Sequence, residues 1–96
     1  MASSRIFRRY LVKGRVQGVG FRWFVEREAR LLGVAGWVRD RDDGAVEVLA
    51  SGSSEQLISL YDRLREGPRA ARIDGVEVDD AQPFTTHQTF QIEETW

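Results

Sequence analysis

The chain contains no cysteine, which excludes disulfides and thiolate chemistry before any residue is placed. It has one histidine, His87, so a phosphohistidine route would rest on that residue alone. In QPFTTHQTF it stands far from the other candidate residues and reads as an ordinary surface or strand-edge histidine. No apolar run approaches the roughly 18 residues that a membrane helix needs. The arginines of the N-terminal MASSRIFRRY have no apolar segment behind them, which argues against a secretory leader. Repeats, low-complexity tracts and interdomain linkers are also missing. What is left is a cytoplasmic enzyme or binding module, with residues 1–96 forming one domain around one two-layer core.

The residues present fit that class, since 42% are hydrophobic and 30% charged. A net charge of -1 conceals an asymmetry: residues 1–41 carry ten Lys+Arg against three Asp+Glu, and residues 42–96 carry four against twelve. A basic first half suggests an anionic partner, unless the two halves interleave in the fold and the surface is simply mixed.

Residues 6–13, IFRRYLVK, read as a strand ending at Gly14. Its inward face is open, because Phe7 and Leu11 lie on one side and Tyr10 and Val12 on the other. Phe21 to Leu32 follows with Phe21, Phe24, Val25 and Leu32 on one side of a helical wheel and Gly33 as a stop. Ala35–Arg39 and Ala45–Ala50 form a hairpin across DRDDG, residues 40–44, with Val46, Val48 and Ala50 on one face. Ser53 and Gln56 make a capping box for a helix with Leu57, Leu60, Tyr61 and Leu64 at i, i+3, i+4 and i+7, and Gly67-Pro68 ends it. Arg72–Val78 is a further strand and Thr89–Glu93 a last short one. The order implies an α+β, ferredoxin-like βαββαβ sandwich: a four-stranded antiparallel sheet, two helices on one face, and a short closing strand. Fold alone says little about function.

Between the first strand and first helix lies GRVQGVGFR, residues 14–22. Successive glycines let a loop curl with its N–H groups inward, and the adjoining helix N-terminus adds unpaired donors and a positive dipole end. Arg22, in the first helical turn, brings a planar fork that matches two phosphate oxygens. A tight turn needing glycine only for its backbone angles would look similar. The loop is neither a P-loop, lacking Gly-Lys-Ser/Thr, nor a dinucleotide fingerprint, since the glycine spacing differs and no parallel βαβ follows. A single phosphate-sized group suits it best.

Gly14, Val16, Gln17, Gly18, Val19, Phe21 and Arg22 resemble the first signature of the acylphosphatases, and GWVRDRDDGAVEVLASG, residues 36–52, is similar to the second. The resemblance covers nearly the whole chain. It implies hydrolysis of the carboxyl-phosphate anhydride of small acyl phosphates to a carboxylate and inorganic phosphate, by direct water attack, with no metal or organic cofactor. It also implies that the backbone amides of Val16, Gln17, Gly18, Val19, Gly20 and Phe21 and the side chain of Arg22 hold the phosphoryl group. The partners expected are a small acyl phosphate and inorganic phosphate, with no nucleic acid and no membrane, for a monomer. Positioning and preorganised positive charge are what a loose phosphoryl-transfer transition state asks of a protein.

One position departs from the family pattern. Four residues before Gly44 the family has asparagine, whose amide orients the attacking water; here it is Asp40. An ionised Asp offers only acceptors and adds a charge. At about 6 Å from a phosphoryl group carrying about two negative charges, repulsion is on the order of 5 kcal/mol at an effective dielectric of about 20. Screening and exposure cut this to about 1–2 kcal/mol, and the expected loss in activity runs from about tenfold to several thousandfold. The opposite outcome would have Asp40 act as general base on the water. A non-catalytic module that keeps the phosphate cradle is the alternative function.

A calcium loop starting at Asp40 fails, because position 5 is Gly44 and position 12 is Ser51. Asp42 to Gly44 is instead expected to be the hairpin turn. An RNA-recognition module would need aromatics in Ala45–Ala50, which has none. Trp23 falls off the apolar face of its helix, Trp37 is expected to pack in a strand, and Trp96 ends the chain. Nothing in the sequence marks any of the three as an acyl contact.

Overall fold

Tyr10 and Val12 settle the face that the sequence left open: both are fully buried, so the even-numbered side of the first strand is inward. The structure, a computed structural model, describes residues 5–84 and 89–93; His87 and Trp96 lie outside the described residues. Its elements are β1 (Ile6–Arg15), α1 (Phe21–Leu32), β2 (Ala35–Asp40), β3 (Val46–Gly52), α2 (Ser54–Glu66), β4 (Arg72–Asp80) and β5 (Phe90–Ile92).

The two-residue period of each strand assigns the faces. Register places Tyr10 opposite Val48 and Val12 opposite Val46, and Val38 opposite Val48. These side chains form one cluster with Val25 and Ala29 of α1 and Leu57, Leu60 and Leu64 of α2, so both helices cover the same face. Tyr10 also donates its hydroxyl proton to the Leu57 carbonyl oxygen at 3.0 Å, which satisfies the one polar atom it buries.

The expected four-stranded antiparallel sheet is corrected to a five-stranded mixed one. The strand order is β4-β1-β3-β2-β5, and β5 pairs parallel to β2, with Phe90 opposite Gly36 and Ile92 opposite Val38. Burial explains the extra member: Phe90 is fully buried, and β5 covers the edge of β2 that would otherwise present unpaired N–H and C=O groups. Glu93 N–H adds a bond to the Val38 carbonyl at 2.8 Å. β1 runs to Arg15, beyond the expected stop, because Gly14 still pairs with Ile73 across a bulge that falls between Lys13 and Gly14. That bulge changes the phase of β4, so Ile73 and Val76, three apart, both pack against the core.

The helix boundaries fall where expected. α1 closes on Gly33, whose N–H bonds back to Arg30 O, and α2 opens with the Ser53–Gln56 capping box complete in both directions.

Candidate functional site

The connection from β1 to α1 is only five residues, Val16 to Gly20. Val16 anchors it in the core. Gly18 and Gly20 have φ of 74° and 77°. An added Cβ at either would meet no atom within 4 Å, so glycine is needed there for its left-handed backbone and not for space. Gly20 is also the N-cap of α1 and supplies no side-chain cap. The first bond of the helix runs from Phe24 N–H to Gly20 O at 3.1 Å, so the N–H groups of Phe21, Arg22 and Trp23 have no partner within the helix.

The contrast with α2 is informative. α2 has Ser53, Gln56 and an acidic residue, Glu55, in its first turn. α1 has no acid in its first turn and carries Arg22 there instead. A cation at the positive end of a helix is unfavourable unless an anion lies close. The anion this chain supplies comes from β2. Asp40 shares the inward face with Gly36 and Val38, and at the strand's end that face runs out from the core towards the start of α1. Its Oδ1 lies 3.5 Å from Arg22 Nε, with the two side chains 23% and 35% exposed.

These residues line one cleft of about 210 Å³: Val16, Gly18, Gly20, Phe21, Arg22 and Trp23 from the loop and first helical turn, and Asp40 from β2. Of the sequence candidates, Val16, Gly18, Phe21 and Arg22 are thus brought together with Asp40, with Gly20 between them. Val19 packs against the core from outside. Gln17 has a role its sequence position did not disclose. Its side-chain amide donates to Arg41 O at 2.7 Å and to Ala45 O at 2.9 Å, tying the loop to the β2–β3 turn. That turn is closed by Gly44 N–H to Arg41 O at 3.2 Å and Arg41 N–H to Ala45 O at 2.9 Å. Asp43 braces it, accepting from Arg41 and from Ala45 N–H, and those two donors hold its carboxyl below the usual range. Asp42 to Gly44 therefore form the hairpin turn and Asp40 belongs to the cleft. Nothing in the glycine loop signalled that Gln17 would bridge to the hairpin, because its partners are backbone carbonyls more than twenty residues away.

A cleft with unpaired backbone donors, a guanidinium and a carboxylate can take a small oxyanion and hold a water beside it. Comparison with known proteins identifies the family. The acylphosphatase family model matches residues 8–92. An acylphosphatase of Koribacter versatilis is 62% identical over 96 residues, covering all of this chain and 87% of the relative. The crystal structure of acylphosphatase from Bacillus subtilis superposes with a TM-score of 0.86 at 40% identity, over 92% of this chain and 98% of that one. An acylphosphatase from Coxiella burnetii gives 0.86 at 30% identity, over 93% of each chain. On this sequence match and this superposition, the chain belongs to the acylphosphatase family.

Proposed function

We infer that this protein hydrolyses the carboxyl-phosphate anhydride of small acyl phosphates, releasing a carboxylate and inorganic phosphate, and that the cleft between the β1–α1 loop and the end of β2 is where it does so. The observation that carries the reading is the unsatisfied first turn of α1, with Arg22 on it, facing Asp40 across 3.5 Å. Backbone N–H groups of Val16, Gln17, Gly18, Val19, Gly20 and Phe21, with the Arg22 guanidinium, receive the phosphoryl oxygens. Water attacks phosphorus beside Asp40, its oxygen bonds to phosphorus, the bond to the bridging oxygen breaks, and the proton passes to a phosphoryl oxygen. The carboxylate leaves with the electron pair and needs little acid help. In this reading the protein acts as a single-domain monomer, and no helix of the described residues is long and apolar enough to cross a membrane. A cytoplasmic location is part of the same reading.

Hydrolysis of benzoyl phosphate near neutral pH tests the reading. The wild type should turn it over above background, and Arg22→Ala should lower kcat/KM by at least about a hundredfold, as loss of a charged transition-state donor does. Phosphate should also cease to inhibit that variant competitively. Binding of substrate without hydrolysis, in the wild type and in Asp40→Asn alike, would instead support a module that only holds the ligand.

A further inference from the structure

Beside the cleft already described lies a second, larger one of about 390 Å³, and the two share Gly20 and Trp23. Its other walls are Phe24 and Arg27, which lie on one strip of α1 with Gly20 and Trp23 at helical spacing, together with Glu26 of the same helix and Pro68, from the segment after α2. Trp23 is 75% exposed, so most of its ring is left without cover. The charged groups here already have partners: Arg27 pairs with Glu28 at 3.2 Å, and Glu26 with Arg30 at 3.3 Å. What the cleft still offers is flat apolar surface, continuous with the place where the phosphoryl group is held.

Resting on the function proposed above, we propose that this second cleft receives the acyl portion of the substrate and selects planar apolar acyl groups, aryl ones above all, by stacking them on Trp23 against Phe24 and Pro68. A phosphoryl group seated at the start of α1 has two ways out, towards bulk solvent or past Gly20 along Trp23. The second route keeps the acyl group on protein. Gly20 has no side chain to block the passage, and space for one is free there. A methyl group such as that of acetyl phosphate is too small to cover the indole, whereas a phenyl ring has a face to match it. A charged acyl group would gain little, because Arg27 and Glu26 are already engaged.

Binding of non-hydrolysable analogues separates this subsite from turnover. Phenacylphosphonate and acetonylphosphonate replace the bridging oxygen of benzoyl and acetyl phosphate with methylene and present the same phosphonate. By calorimetry the wild type should bind the phenacyl compound about tenfold more tightly, the ratio that one good aromatic contact supplies. In Trp23→Ala the ratio should fall to within about twofold, and Trp23→Tyr should restore most of it. Equal affinities in the wild type, or an unchanged ratio in Trp23→Ala, would overturn the acyl subsite while leaving the phosphoryl site standing. Failure of the wild type to bind either compound would overturn both.

Discussion

Inside the cleft, Arg22 has two claimants. The guanidinium that should meet phosphoryl oxygens already lies 3.5 Å from Asp40, so an incoming anion must share it with a carboxylate and sit near that charge. Both effects work against binding, and both would vanish with a neutral amide at this position. Asp40→Asn should therefore raise kcat/KM for benzoyl phosphate by at least about tenfold, corresponding to about 1.4 kcal/mol. It should also tighten competitive inhibition by phosphate. A fall in activity would instead make Asp40 the general base. Gln17 acts on the same geometry from the other side, since its two bonds to Arg41 O and Ala45 O hold the loop against the end of β2. Gln17→Ala should cost about 1–2 kcal/mol, two ordinary hydrogen bonds, and lower Tm by several degrees in a thermal melt. An unchanged Tm would mean that the turn holds the loop by other contacts.

At the scale of elements, the bulge where β1 leaves β4 is the least forgiving point. Gly14 has φ of 133°, and a Cβ there would stand 2.1 Å from Arg72 O and 2.8 Å from Asp74 N, both backbone atoms of a paired strand. Gly14→Ala should destabilise by more than the roughly 1–3 kcal/mol of a strained φ alone. Gly20→Ala, with a positive φ but open space, should cost only about 1–2 kcal/mol. Comparable urea midpoints for the two would show that β4 gives way easily. The same bulge marks the limit of what the sequence discloses. Both helices were legible, because their period, capping box and glycine stops are local. The inward pair Ile73 and Val76 was not, since a bulge in one strand is set by its neighbour. β5 was recognised as a strand but not as a member of the sheet, because three residues carry no record of the partner they pair with. Within the site, Arg22 and the glycine loop are contiguous and could be read together. Their meeting with Asp40 depends on the register of β2 against β3, and was expected only through family resemblance.

The whole molecule resolves the charge asymmetry. β1, from the basic half, lies between β3 and β4 of the acidic half. Arg9 pairs with Glu47 at 2.5 Å and with Asp79 at 3.8 Å, Lys13 with Glu77 at 2.7 Å, and Arg39 with Glu47 at 3.0 Å, while Arg63 of α2 reaches back to Glu28 of α1. Part of the opposite charge of the two halves is therefore paired across the sheet. Glu47 is the hub: it lies on the sheet face away from the helices, opposite Leu11 and Arg39, and its side chain is only 7% exposed. Burial on its own would raise that carboxyl, but the hydrogen bonds and charges of Arg9 and Arg39 outweigh it and hold it below its ordinary value. A carboxyl depressed in the folded state binds fewer protons there than in the unfolded chain, so its contribution is complete above the ordinary Glu value of about 4.3 and is lost as pH falls through the folded value. Glu47→Gln should cost about 2 kcal/mol near pH 7, discounted from a fully buried pair because Arg9 and Arg39 remain partly solvated. The corresponding drop in Tm is on the order of 10 °C. As pH is lowered from about 5 towards 3, the wild-type Tm should fall faster than that of the variant, so the two curves converge. Thermal melts across that range decide the matter, since a gap that stays constant with pH would mean that Glu47 acts through its packing and not through its charge.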